Sequence, residues 1–145
     1  MVSVSGVRGT IGKTLTQQVA MEFGCAFGTM VGAGKTIAVA RDTRPSGAML
    51  RSAVSAGLMA CGVNVVDLGV VTTPGTALMT RKLSCDGGVI ITASHNPTPY
   101  NGIKFLQPSG VALPAEQAKK LKDIWESKDF NIQDSLHTGT ATKNA

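Results

Sequence analysis

The chain has 145 residues, 43% hydrophobic and 16% charged, which is the size and mixture of one soluble domain with its own core. Its net charge of +5 raises a polyanion partner, but there is one Tyr, one Trp, and a basic group (Lys119, Lys120, Lys122) that reads as the solvated face of a helix, so no nucleic-acid partner is expected. No run approaches the roughly 20 apolar residues of a membrane span, and no charged-then-apolar leader opens the chain, so no membrane partner and a cytoplasmic location are expected.

Seventeen Gly with 4% aromatic residues point to glycine-bearing loops and an aliphatic core. Cys25, Cys61 and Cys85 are odd in number and lack C-x-x-C spacing, which fits reduced, buried thiols.

Thr16 caps a predicted helix whose apolar positions Val19, Phe23, Phe27 and Met30 form one stripe, and Gly32 and Gly34 end it. A buried strand at 36–40 leads into the turn 41–47, where Ser46 can cap a second helix lined by Leu50, Val54, Gly57, Leu58 and Cys61. A strand at 63–68 follows, then Thr73-Pro74 as cap and first turn of a third helix running to about Leu83. The stretch 87–92 is almost uniformly apolar, as a strand covered on both faces requires. After the loop 93–102, a fourth strand occupies 103–106, and Pro114 opens a helix with Leu121, Ile124 and Trp125 inward.

Strands alternating with helices predict a three-layer α/β/α sandwich around a mostly parallel, mixed, four-stranded sheet. Residues 1–130 read as the domain, and 131–145, where periodicity fades, as a linker or tail.

The segment Thr92-Ala93-Ser94-His95-Asn96-Pro97 leaves the carboxyl end of a buried strand, where open α/β sheets place their ligands. Ser94 is the candidate nucleophile. The G-x-S-x-G elbow of a serine hydrolase is absent. A phosphoryl carrier needs a reactive oxygen on a fixed loop, cations to offset the phosphate, and a base for the incoming hydroxyl, and Arg8, His95 and Lys104 are residues of suitable type. The segment 32–36 invites a nucleotide-binding reading, but it precedes a strand and has Thr29 where a Walker A loop needs Gly.

Ser5-Gly6-Val7-Arg8-Gly9-Thr10, the turn 41–47 (Arg-Asp-Thr-Arg-Pro-Ser-Gly), and Thr92 to Pro97 followed by Tyr100-Asn101-Gly102-Ile103-Lys104 resemble the motifs of the α-D-phosphohexomutase family, in family order. The resemblance implies that Ser94 holds the transferable phosphoryl group and, as phosphoserine, offers an oxygen to Mg²⁺. It implies that His95 stands beside it, that Lys104 is the general acid/base for the sugar hydroxyl, and that Arg8 lies near both. The family reaction moves phosphate to a hexose phosphate, lets the bisphosphosugar turn around, and recovers phosphate from its other end. Arg41 and Asp42 match a family turn, although turn formation and an internal ion pair explain them equally well.

The family's metal loop (D-G-D-x-D-R), sugar loop (G-E-x-S) and phosphate loop (R-x-S-G-T) do not occur in this chain. The expectation is therefore a first domain whose partners are the remaining domains of the same protein, with the other Mg²⁺ ligands outside these residues and no turnover by the chain alone. A phosphosugar-binding regulatory module without catalysis is the alternative.

Overall fold

In the computed structural model, which describes residues 2–3, 6–94, 96–97 and 99–144, the stripe read from 19 to 30 does form a helix. The elements follow as β1 (Val2–Ser3), β2 (Gly6–Thr10), α1 (Gln17–Val31), β3 (Thr36–Arg41), α2 (Gly47–Ala60), β4 (Asn64–Val70), α3 (Thr73–Lys82), β5 (Gly87–Ile91), β6 (Tyr100–Leu106), α4 (Ala115–Ser127) and β7 (Ala141–Lys143). Thr16 caps α1 as expected, its Oγ1 accepting the Val19 N–H at 3.2 Å, and Gly32 closes the helix at φ 105°.

The strands form one mixed sheet in the order β1-β2-β6-β5-β3-β4-β7. β3, β4, β5 and β7 run parallel, while β6 is antiparallel to both β5 and β2. The four expected strands are its contiguous centre, and the sheet is wider than the sequence implied. β1 and β2 extend one edge and β7 the other. Pattern reading misses these because β2 has one fully buried apolar side chain, Val7, and β7 is exposed throughout. Backbone pairing alone makes them strands.

The third helix begins one residue off the expected cap: Thr72 Oγ1, and not Thr73, accepts the Gly75 N–H at 3.1 Å. Ser46 occupies the N-cap position of α2 but makes no capping bond.

The three layers can be traced through two consecutive glycines. A Cβ on Gly87 would stand 3.3 Å from Phe27 of α1, whereas one on Gly88 would stand 2.7 Å from Thr80 Oγ1 of α3. Helices α1, α2 and α4 therefore cover one face of the sheet, and α3 covers the other. On the first face α1 and α2 cross so closely that a Cβ on Gly24 would strike the Val54 carbonyl, and one on Gly57 the Met21 carbonyl.

The core is less aliphatic than the composition suggested. Phe23 stacks on Trp125 with centroids 4.6 Å apart, and Phe27 tilts against Phe105 at 5.0 Å, which knits α1, β6 and α4 together. Phe23 is wholly buried, a gain of roughly 1.5–3 kcal/mol over leaving it in water. All three cysteines are free and buried. Burial raises the Cys85 thiol above its ordinary value, with the neighbouring Asp86 charge adding to the effect.

Residues 131–144 follow the far side of this layer to the sheet edge. Asn131 N donates to Thr29 Oγ1, Gln133 N to the Ala60 carbonyl and Gly139 N to the Met59 carbonyl before β7 pairs with β4. No described helix is long and apolar enough to cross a membrane.

Candidate functional site

The parallel strands β3, β4 and β5 end together at Arg41, Val70 and Ile91. Beyond those ends lies a cleft of about 620 Å³, whose walls include Asp42, Arg44, Thr72, Thr92, Ser94 and Asn96. This is where a doubly wound sheet leaves room, because successive loops part there. The turn before α2 and the first residue of α3, Thr73, line the same space.

Ser94 stands at its mouth. Ile91, Thr92 and Ala93 are buried, and the chain then turns so that Ser94 is exposed at φ 56°, a left-handed conformation that costs a non-glycine residue about 1–2 kcal/mol. Several bonds impose it. Thr92 N donates to the Gly102 carbonyl at 2.9 Å, Ser94 N to Thr92 Oγ1 at 3.1 Å, and Asn96 N to the Ala93 carbonyl at 3.1 Å. The Arg44 guanidinium adds bonds to carbonyls of the same loop. The result is a primary alcohol presented to solvent on a loop tied at both ends, which suits group transfer better than a freely moving hydroxyl would.

Arg8 and Lys104 lie on neighbouring strands. Arg8 of β2 pairs in register with Gly102 of β6, and Lys104 of β6 with Ile90 of β5. Their neighbours Val7, Ile103, Val89 and Ile91 all point into the core under α1, so Arg8, Lys104 and Ile90 face the α3 side. Ile90 lines the cleft. Lys104 thus sits half-buried one strand away from the wall that carries Ser94, and Arg8 is exposed one strand further. Gly102 leaves room between them: a Cβ there would come within 3.2 Å of the Arg8 side chain. Neither Arg8 nor Lys104 lines the cleft itself. His95, and Ser5 of the first motif, lie outside the described residues.

Two features of this region were not singled out from the sequence. Arg44 stands in the sequence as one member of a turn motif, and its partner is Asp42, whose carboxylate lies 3.6 Å from Nε and also accepts the Arg44 N–H at 3.0 Å. The ion pair of the turn is therefore Asp42–Arg44, and among the described residues Arg41 donates to the Asp42 carbonyl, at 3.2 Å. Asn101 is fully buried, its Nδ2 donating to Ser46 Oγ at 2.8 Å and its Oδ1 accepting the Gly102 N–H at 2.8 Å. A polar residue among apolar ones at 101–106 was the available signal for it.

Among the described residues no group of three or more His, Cys, Asp or Glu side chains gathers to hold a metal ion. Asp42, the carboxylate in the cleft lining, is taken up by Arg44.

Comparison with known proteins gives this arrangement its relatives. Residues 2–132 match the family described as phosphoglucomutase/phosphomannomutase, alpha/beta/alpha domain I. A probable phosphoglucosamine mutase of Thermococcus kodakarensis is 43% identical over 126 residues, covering 87% of this chain and 28% of its own length. The phosphoglucosamine mutase of Thermotoga petrophila is 46% identical over 128 residues, covering 88% and 29%. The crystal structure of a phosphoglucomutase/phosphomannomutase family protein from Burkholderia thailandensis superimposes with a TM-score of 0.84 at 35% identity, covering 99% of this chain and 33% of that one. The chain thus spans under a third of the length of the relatives it matches by sequence. With nearly all of its sheet and helices inside the matched range, the chain belongs to the phosphoglucomutase/phosphomannomutase family, as its α/β/α domain I.

Proposed function

We propose that this domain carries the phosphoryl group of an α-D-phosphohexomutase, with Ser94 as the residue that holds it. The observation behind this reading is the exposed, left-handed Ser94 at the mouth of the cleft, a strained position on a loop tied at both ends. Residues 1–130 carry the phosphate-bearing site, and 131–145, whose described part packs on α1 and α2 and adds β7 to the sheet edge, lead toward further domains of the same protein. The short share of its relatives that the chain covers supports the presence of further domains.

The transfer would run in two halves. In the first, the bond between phosphorus and Ser94 Oγ breaks, a new bond forms to a hydroxyl of the hexose phosphate, Lys104 accepts the proton of that hydroxyl, and the departing Ser94 Oγ takes a proton from water that it gives up again in the second half. The bisphosphosugar then reorients, the phosphate from its other end moves to Ser94, and Lys104 returns a proton to the oxygen left on the sugar. Arg8 and His95 offset charge around the phosphate, which brings nearly two negative charges to the loop. Mg²⁺, where bound, would add Lewis-acid polarisation of the phosphoryl oxygens. This chain offers it one ligand, an oxygen of phosphorylated Ser94, and the remainder would come from outside these residues. The 145-residue chain alone should show no turnover.

The test is to load the protein with an isotopically labelled hexose bisphosphate and map the label by intact mass and peptide sequencing. Label on Ser94, absent in Ser94→Ala, supports the reading. Label on another residue of an active protein, with Ser94 unmodified, overturns it.

A further inference from the structure

We propose that Arg44 is a positioning residue for this transfer, holding Ser94 in its reactive geometry by gathering the carbonyls of the serine loop onto one guanidinium. The proposal rests on the assignment of Ser94 above. Arg44 lies in the turn between β3 and α2, some fifty residues from the loop in sequence, yet four of its bonds go there. Its Nη1 donates to the carbonyls of Pro97 at 2.9 Å and Tyr100 at 3.2 Å, and its Nη2 to those of Ser94 at 3.0 Å and Asn96 at 2.5 Å.

The donor count separates positioning from substrate binding. A guanidinium has five N–H groups. The four on the two terminal nitrogens match the four carbonyls, and Nε faces Asp42 Oδ2 at 3.6 Å. Neither terminal nitrogen has a donor left over for a phosphate, and Nε has the Asp42 carboxylate beside it, so although Arg44 is on the cleft wall its charge acts through the loop that it binds.

Geometry also explains the residue type. The four carbonyls belong to a loop that bends back on itself, and their oxygens converge on one point, an arrangement that repels itself unless a cation fills it. A planar fork can serve four acceptors at fixed angles, whereas a lysine ammonium has three donors on a flexible stem. Arg44 is in turn fixed by Asp42 from behind, with its side chain 15% exposed. The bond to the Ser94 carbonyl acts on the very residue whose φ is 56°. Losing it should let that peptide relax and carry the hydroxyl off line, and misplacement by about 1 Å costs on the order of 10²-fold in rate.

The experiment uses the full-length protein that carries this chain, with Arg44→Lys and Arg44→Gly. The expected result for Arg44→Lys is a kcat lower by about 10²-fold and a KM within about twofold, because substrate contacts are untouched. Amide exchange at Ser94, Asn96 and Tyr100 should quicken by about tenfold or more, the equivalent of one lost hydrogen bond, while the urea midpoint moves little. Dilute guanidinium should restore part of the kcat of Arg44→Gly and none of that of Ser94→Ala. If Arg44→Gly does not fold, Arg44→Lys and its exchange pattern decide. Near-normal kcat in Arg44→Lys with Ser94 still phosphorylated would overturn the positioning role and leave the Ser94 assignment standing. A fall in kcat that only tracks global stability, with no change confined to the loop, would overturn it too. Absence of label on Ser94 in the unsubstituted protein would instead remove the assignment on which the proposal stands.

Discussion

Asn101 and Ser46 are joined across two elements: the buried amide of one donates to the hydroxyl of the other at 2.8 Å, so the residue at the N-cap position of α2 gives its side chain to β6 and not to its own helix. Ser46→Ala should therefore cost more than a lost cap. It strands a buried amide donor, a penalty of about 1–3 kcal/mol. Urea unfolding of Ser46→Ala beside Asn101→Ala and the double variant should give strongly non-additive losses, because either change breaks the same bond.

Thr72 and Thr73 separate cap from neighbour. Thr72→Ala should destabilise the protein by about 1 kcal/mol through loss of the bond to Gly75 N. Thr73→Ala should be nearly neutral, and equal losses would contradict the assigned cap. Thermal unfolding of the two variants compares them directly.

The crossing of α1 and α2 tolerates no side chain at its centre. Gly57→Ala sets a methyl against the Met21 carbonyl and within 2.7 Å of the Cys25 nitrogen, so the helices must part. A loss of about 1–3 kcal/mol or more is expected, read as a lower urea midpoint.

The Cys85 thiol, raised by burial and by Asp86, links stability to alkaline pH. A raised thiol stays protonated in the fold while the unfolded chain ionises near its ordinary range. Its contribution is therefore complete below about pH 8.5 and lost as pH climbs toward the folded value. Cys85→Ala should flatten the fall in urea midpoint over that range. Using the difference between the two proteins isolates Cys85 from Cys61, whose thiol shifts the other way, to about 7, under a hydrogen bond from Cys25.

Lys104→Met in the full-length protein should slow transfer by about 10²-fold or more while the phosphate remains on Ser94, since a long side chain is kept and only the ammonium is deleted. Steady-state kinetics with intact-mass analysis reads both quantities. Near-normal kcat would move the acid/base role to His95 or to a residue outside this chain.

The central fold was legible because burial writes itself into sequence. The stripe Val19, Phe23, Phe27, Met30 and the apolar run 87–92 each announce the face they hide. The edge strands were not, because Gly6–Thr10 and Ala141–Lys143 are held by backbone pairing that leaves no periodicity in side chains. The Ser94 loop stood out by its motif, but the Arg44 bonds to it did not. They bind carbonyls, which every residue has, so nothing in the sequence of the loop names its partner.

The path of residues 131–144 has a consequence for assembly. β7 runs parallel to β4, and Asn144 N donates to the Asp67 carbonyl at 3.0 Å, so the chain leaves the sheet heading toward the rim where β3, β4 and β5 end. β7 ends opposite Asp67, three residues before β4 ends at Val70, so polypeptide joined there would start roughly 7–10 Å below the rim and reach it by continuing in the same direction. It would have no need to double back beneath the sheet, because β7 already points toward the face on which the cleft opens.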